Sequence, residues 1–236
     1  MNETNVRDIV IIRGEEFKAL TGNNGSTAFE TQHKMAERYF SQIIEVNGKL
    51  KGENDLVNCV NNIIAFSGER GQGKTTAMNC FLQSVRERNK QCHILDVIDP
   101  STFESMHNIV EVIVSKMFNE TKYPPNVSES EGYEKLLDQF QVVYESLSLI
   151  RNATKFDNLE DDYEGTIEKL SRVGDSANLR KDMQKLVDQY LDETIGTDKK
   201  FLIIPIDDLD ISISLAYKMA EQIRKYLIVP SVLISY

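Results

Sequence analysis

Cysteine, histidine, positive charge and long apolar runs are all scarce in this chain, and each scarcity removes a class of protein. Cys59, Cys80 and Cys92 are odd in number and lack metal-ligand spacing, which points to reduced thiols in a cytoplasmic protein rather than a disulfide framework. His33, His93 and His107 show neither metal spacing nor a paired nucleophile and read as structural or surface residues. No stretch approaches the roughly 18 apolar residues of a membrane span. The start, Met1-Asn2-Glu3-Thr4-Asn5, lacks the basic residues and apolar core of a secretory signal. Lys and Arg number 27 against 37 Asp and Glu, a net charge of −10. That balance argues against a chain-wide nucleic-acid surface and leaves only a local basic patch open. The remaining composition, 41% hydrophobic and 27% charged over 236 residues, is that of an ordinary globular protein with one large or two small domains.

What is present is concentrated in one octapeptide. Gly68-Glu69-Arg70-Gly71-Gln72-Gly73-Lys74-Thr75 fits G-x-x-x-x-G-K-[ST]. Residues 62–67 read as a buried strand entering it, and residues 76–89 as a helix leaving it, with Met78, Phe81, Leu82 and Val85 on one apolar face. A phosphate chain needs this arrangement. Glycines let backbone N–H groups wrap the phosphates, and the helix N-terminus adds partial positive charge. Residues 68–76, ending at Thr76, form the expected nucleotide cradle. Within it Lys74 would reach the β- and γ-phosphates, and the Thr75 hydroxyl would bind Mg²⁺.

A second acidic element completes the pattern. The apolar run 201–206 leads directly into Asp207-Asp208-Leu209-Asp210. A hydrophobic strand ending in an acid is the Walker B arrangement, in which a carboxylate holds Mg²⁺. Asp207 takes that role, and Asp208 stands where an acid would polarise the attacking water, though its side chain is short. Asp210 would support either role or cap the next helix. Pro205 is awkward in an interior strand, because proline removes a ladder bond, and implies a bulge or an irregular strand end. Other candidates are Arg70, inside the loop, and Arg224 with Lys225, at the end of a helix. Arg224 could face a neighbour's nucleotide, although cations at a helix C-terminus have a simpler account. Ser235 would be a polar strand-tip residue near the γ-phosphate. Thr154-Lys155-Phe156-Asp157 and Asp162-Tyr163-Glu164-Gly165 imitate guanine-nucleotide motifs. Their order along the chain is reversed and no core strand precedes them, so ATP is favoured over GTP.

Along the chain, strands are expected at 8–12, 62–67, 92–98, 201–206 and 231–235. Helices are expected at 26–46, 76–89, from Ser101 (as N-cap) through Phe118, at 132–151 and at 214–227. Tyr123-Pro124-Pro125 stops the third of these. The region 130–197 reads as a helical insertion interrupted by an acidic loop at 157–162. Residues 1–58 form an N-terminal strand and helix packed on a core spanning 59–236.

The phosphate loop, the Asp207-Asp208-Leu209-Asp210 run and the stretch 216–227 resemble the additional-strand branch of P-loop NTPases, which includes the AAA+, STAND and KAP groups. The acidic run looks most like the KAP type, and the stretch is similar to large bacterial ATPases, several of which serve in antiphage defence. The resemblance covers residues 60–236. It implies a three-layer α/β fold with a parallel sheet ordered 5-1-4-3-2 and nucleotide at the strands' carboxyl ends. Strands one to four fall near residues 62, 93, 202 and 232. The fifth is missing, unless the strand at 8–12 takes the sheet edge, and the chain reads as the N-terminal part of a longer protein. The implied function is a Mg-ATP-dependent ATPase module of a larger defence or stress protein, homo-oligomeric through this domain and coupled to an effector protein. Two rivals stand beside it: a nucleotide-gated scaffold with little turnover, and a kinase of a small molecule or nucleic acid.

Overall fold

The computed structural model describes residues 10–13, 30–50, 62–69, 71–103, 108–121, 131–153, 163–209 and 213–236. The elements in chain order are β1 (Val10–Arg13), α1 (Glu30–Asn47), β2 (Ile63–Ser67), α2 (Lys74–Arg88), β3 (Cys92–Ile94), α3 (Ile109–Thr121), α4 (Glu131–Ala153), α5 (Tyr163–Tyr190), β4 (Phe201–Pro205), α6 (Ile213–Tyr226) and β5 (Val232–Ser235). The five strands form one parallel sheet in the order β1-β2-β5-β4-β3.

Parallel strands covered on both faces need apolar side chains pointing both ways, and the strand sequences supply them. Leu202, Ile204 and Ile206 pack with Val232 and Ile234 against α3, α4, α5 and α6. The alternate residues Phe201, Ile203 and Leu233 face the other way, with Ile64 and Phe66, onto α1 and α2. The period of two thus splits the strand residues between two cores. On the α1/α2 side, Phe81 lies edge-on to Phe40 of α1, with ring centroids 5.8 Å apart.

Pro205 ends β4 without a bulge. Its carbonyl accepts a hydrogen bond from Ile98 N (2.9 Å) on the β3 side of the strand, the side to which its missing N–H would also point. β3 has already stopped there at Ile94, and pairing resumes only as a single bridge, Ile98 to Ile206. The expected strand 92–98 is therefore three residues long, and Pro205 sits where a ladder bond is absent anyway.

The helix expected from Ser101 is also divided. Residues 100–102 form one 3-10 turn, capped by Asp99, whose Oδ1 accepts from Ser101 N (2.8 Å). α3 starts later, where Asn108 Oδ1 accepts from Val110 N (2.9 Å). Asp99 and Asn108 do the capping that Ser101 was expected to do, because carboxylate and amide side chains reach the free N–H groups two residues on. The tripeptide 123–125 and the acidic loop 157–162 lie outside the described residues. In the helical region, α4 and α5 pack side by side, with Gln139 Nε2 donating to the carbonyl of Asp182 (3.2 Å).

Buried polar side chains tie the α6–β5 connection to its neighbours. Asn62 Nδ2 donates to the carbonyls of Leu227 (3.1 Å), Val229 (3.1 Å) and Val232. Arg180 of α5 donates to the carbonyl of Ile228 (2.8 Å from Nε). The Leu227 and Val229 carbonyls also accept backbone bonds, from Val229 N (3.0 Å) and Val232 N (3.1 Å), so Asn62 adds a second donor to each and fastens β2 to the turn into β5.

Candidate nucleotide-binding cleft

In parallel sheets, ligands bind outside the carboxyl ends of the strands. Here β2, β4 and β5 converge on one cleft of about 930 Å³, lined by the loop after β2, the acids after β4 and the face of α6.

The loop shape follows from its glycines. Gly71 (φ +86°) and Gly73 (φ +79°) occupy left-handed backbone that a Cβ would oppose. Gly73 is the N-cap of α2, and its carbonyl accepts from Ala77 N (2.9 Å), so the helix begins at Lys74 rather than at Thr76. Lys74 and Thr75 are thereby in the first turn. No side chain caps that end, so the helix presents its first N–H groups and the positive end of its dipole to the cleft. At the other end Arg86 and Arg88 lie in the last turn, where the dipole favours them.

Lys74 Nζ donates to the carbonyl of Gly68 (3.1 Å), which folds the ammonium back over the loop. Thr75 Oγ1 donates to Asp207 Oδ1 at 2.9 Å, across 132 positions of sequence. Asp207 is held from two further directions. Its N–H donates to the carbonyl of Ile98 (2.8 Å), and its Oδ1 accepts from Asp208 N (3.0 Å). Asp208 is exposed and has φ +51°, the one non-glycine residue with positive φ among those described. Asp is among the few residues that tolerate this region. Its backbone turns there, so the two adjacent carboxylates do not continue the extended alternation of β4.

Of the expected site residues, Gly68, Glu69, Gln72, Lys74, Asp207 and Asp208 all line the cleft. Thr75 reaches it through Asp207. Gly71, Gly73 and Thr76 hold the loop and the first helical turn. Arg70 and Asp210 lie outside the described residues. Ser235 is fully buried, and its Oγ has no hydrogen-bond partner among the described residues. The cleft is lined instead by the next residue, Tyr236, whose phenol burial pushes up in pKa. A shift of one position along a strand reverses the face, which is why a strand-tip reading from sequence is fragile. Arg224 is exposed in the last turn of α6, and its neighbour Lys225 pairs with Glu221 (2.7 Å). Of the guanine-like segments, 154–162 lie outside the described residues, and Tyr163-Glu164-Gly165 is the start of α5.

Sequence reasoning missed the apolar wall. Phe66, Met78, Leu209, Ala216, Tyr217 and Ala220 complete the cleft, and Tyr217 is 72% exposed. An exposed tyrosine on an otherwise amphipathic helix was the available signal.

The other titratable groups lie elsewhere. Burial pushes the Cys92 thiol up to about 12, so it stays protonated. His93 belongs to a separate cluster with Glu120 and Tyr190. Among the described residues no three of His, Cys, Asp and Glu come together as a metal cluster. A Mg²⁺ held by one carboxylate, one hydroxyl and substrate phosphates needs none. The 2.9 Å contact brings that hydroxyl and carboxylate together, so the residues fit such an ion. Among the described residues no helix is long and apolar enough to cross a membrane. No protein-family model matches the chain, and no curated protein matches it.

Proposed function

We propose that this chain is a P-loop ATPase module of the additional-strand type, which binds Mg-ATP in the cleft and uses its hydrolysis to drive assembly or domain motion. The observation that carries the reading is the Thr75–Asp207 hydrogen bond. It joins a glycine-rich loop to an acid at a strand end 132 residues away, and a Mg²⁺ site would require those two groups together.

The sheet supports the same reading. With β2 counted as the first strand, β3, β4 and β5 take the second, third and fourth places, and the order reads 5-1-4-3-2 with β1 in the fifth. The sheet edge that the sequence left open is thus filled from the N-terminal side.

Each residue then has a part. N–H groups of the loop and of the first turn of α2 would hold the phosphates. Lys74 would leave the Gly68 carbonyl for the β- and γ-oxygens. Asp207 orients the Thr75 hydroxyl by accepting its hydrogen bond, which leaves the hydroxyl lone pairs free, and Thr75 and Asp207 would together hold the ion. Bound Mg²⁺ supplies charge neutralisation at the phosphates. Asp208 would orient the attacking water. ATP is favoured over GTP, and defence or stress coupling through an effector protein is the setting that the resemblance suggests.

The test is Mg-dependent ATP binding by calorimetry with phosphate release measured in parallel, and GTP as competitor. Lys74→Ala should weaken binding roughly a hundredfold, the upper range for hydrogen bonds to a charged group. Wild-type affinity in that variant would sink the reading. Asp208→Asn keeps a residue that tolerates positive φ and should retain binding while losing phosphate release. Unchanged behaviour would favour the nucleotide-gated scaffold instead.

A further inference from the structure

Gln72 bridges the phosphate loop with both its backbone and its side chain. Its Oε1 accepts a hydrogen bond from Glu69 N (2.8 Å), and its own N–H donates to the carbonyl of Glu69 (3.3 Å). The two bonds tie Gln72 to Glu69, and Gly71, at φ +86°, stands beside them. Gly68 is shaped around the same side chain. A Cβ built at Gly68 would stand 2.6 Å from Gln72 Oε1, and its next neighbours, at 3.7 Å, are Gln72 Cβ and Cδ. Gly68 is not among the glycines with positive φ. Its backbone does not demand glycine; the space occupied by the Gln72 amide does.

We propose that Gln72 is a positioning residue that staples the phosphate loop into its nucleotide-binding shape, and that Gly68 is glycine so that the staple can lie across it. The proposal rests on the reading of this cleft as a nucleotide site. Ordering a glycine-containing loop costs conformational entropy, and a staple formed before nucleotide arrives removes part of that cost from binding. It also satisfies the Glu69 N–H and carbonyl within the loop, while the N–H groups at the uncapped start of α2 stay directed at the cleft.

The geometry makes an unusual demand on a pair of substitutions. Alanine at 68 would displace the flexible end of Gln72 rather than strain the backbone, so Gly68→Ala and Gln72→Ala remove the same staple. Their effects on affinity must then fail to add.

The experiment titrates wild type, Q72A, Q72M, G68A and the G68A/Q72A double variant with Mg and a non-hydrolysable ATP analogue, and records the thermal midpoint of each without nucleotide. Loss of one hydrogen bond should weaken binding roughly fivefold in Q72A and in Q72M, which keeps the shape but not the acceptor. G68A should match them, and the double variant should be no weaker than G68A alone, with midpoints near wild type throughout. Three results overturn the staple: wild-type or tighter binding by Q72A, multiplication of the two effects in the double variant, or affinity losses that only follow losses of thermal stability. Failure of the wild-type chain to bind the analogue any better than Lys74→Ala does would overturn the nucleotide reading itself, a distinct outcome.

Discussion

Two polar clusters in this molecule use similar groups toward opposite ends. One is the cleft, where Lys74, Thr75, Asp207 and Asp208 gather at the carboxyl edge of the sheet. The other lies between β3, α3 and α5. There Tyr190 OH donates to Glu120 Oε2 (2.6 Å), His93 Nε2 lies 2.9 Å from the same oxygen, and the Tyr190 and His93 rings meet edge-on at 5.9 Å. Tyr190 is fully buried and its phenol is pushed far up in pKa, first by burial and then by Glu120. The second cluster is closed, because each of its groups is the partner of another. The cleft cluster is open. Its hydroxyl meets one carboxylate oxygen, which also accepts from Asp208 N, and its surroundings include an exposed acid, an uncapped helix start and an apolar wall. A histidine, a tyrosine and a carboxylate at hydrogen-bond distance are therefore weaker evidence of chemistry than a lysine, a threonine and an aspartate facing space.

The contrast can be broken by substitution. The largest effect is expected at Asp207. Asp207→Ala removes the acceptor of Thr75, and binding of Mg-ATP should fall by about 10- to 100-fold and lose its dependence on Mg²⁺, with little change in unfolding midpoint. Binding that stays Mg-dependent would show that the carboxylate is structural, like those of the closed cluster. Tyr190→Phe should act the other way. It leaves Glu120 and His93 without the phenol and should cost about 1–3 kcal/mol of stability in denaturant unfolding, with nucleotide affinity unchanged. An altered affinity would mean that the two clusters communicate through α5 and β4.

The smallest effect is a pH dependence. Burial raises the Glu120 pKa, but hydrogen bonds from His93 and Tyr190, with the charges of His93 and Lys116, outweigh it and hold the carboxyl below its ordinary value of 4.5. A carboxyl depressed on folding stabilises fully above its unfolded pKa, and that contribution is lost as pH falls through the folded value. Stability should therefore drop below about pH 4.5, and Tyr190→Phe should flatten that drop. An equally steep acid limb in the variant would remove Glu120 from the explanation.

The loop was readable because its residues act where they stand. Gly71 and Gly73 are needed for their own backbone angles, and Lys74 and Thr75 follow them into the first turn. Most strands and helices were equally local, since alternation in residues 201–206 and helical spacing in α4 arise from short-range geometry. Three errors share one origin. The expected strand 92–98 shortened, the cap moved from Ser101 to Asp99 and Asn108, and Tyr236 rather than Ser235 lined the cleft. Each depends on where a neighbouring element stops or which face it turns, and neither is written in the segment itself.

By itself, then, the sequence determined an α/β chain with one glycine-rich loop between a strand and a helix, a strand ending in acids and no apolar run of membrane length, because each follows from residue identities within a dozen positions. Tertiary structure alone decided that β1 takes the edge beside β2, that Thr75 meets Asp207, that Gln72 fills the space above Gly68, and that His93, Glu120 and Tyr190 satisfy one another. Apart from the short Gln72 loop, these are meetings between groups far apart in sequence. Their partners are chosen by which surfaces the sheet and its two helical layers bury together, a choice made by the whole packed chain.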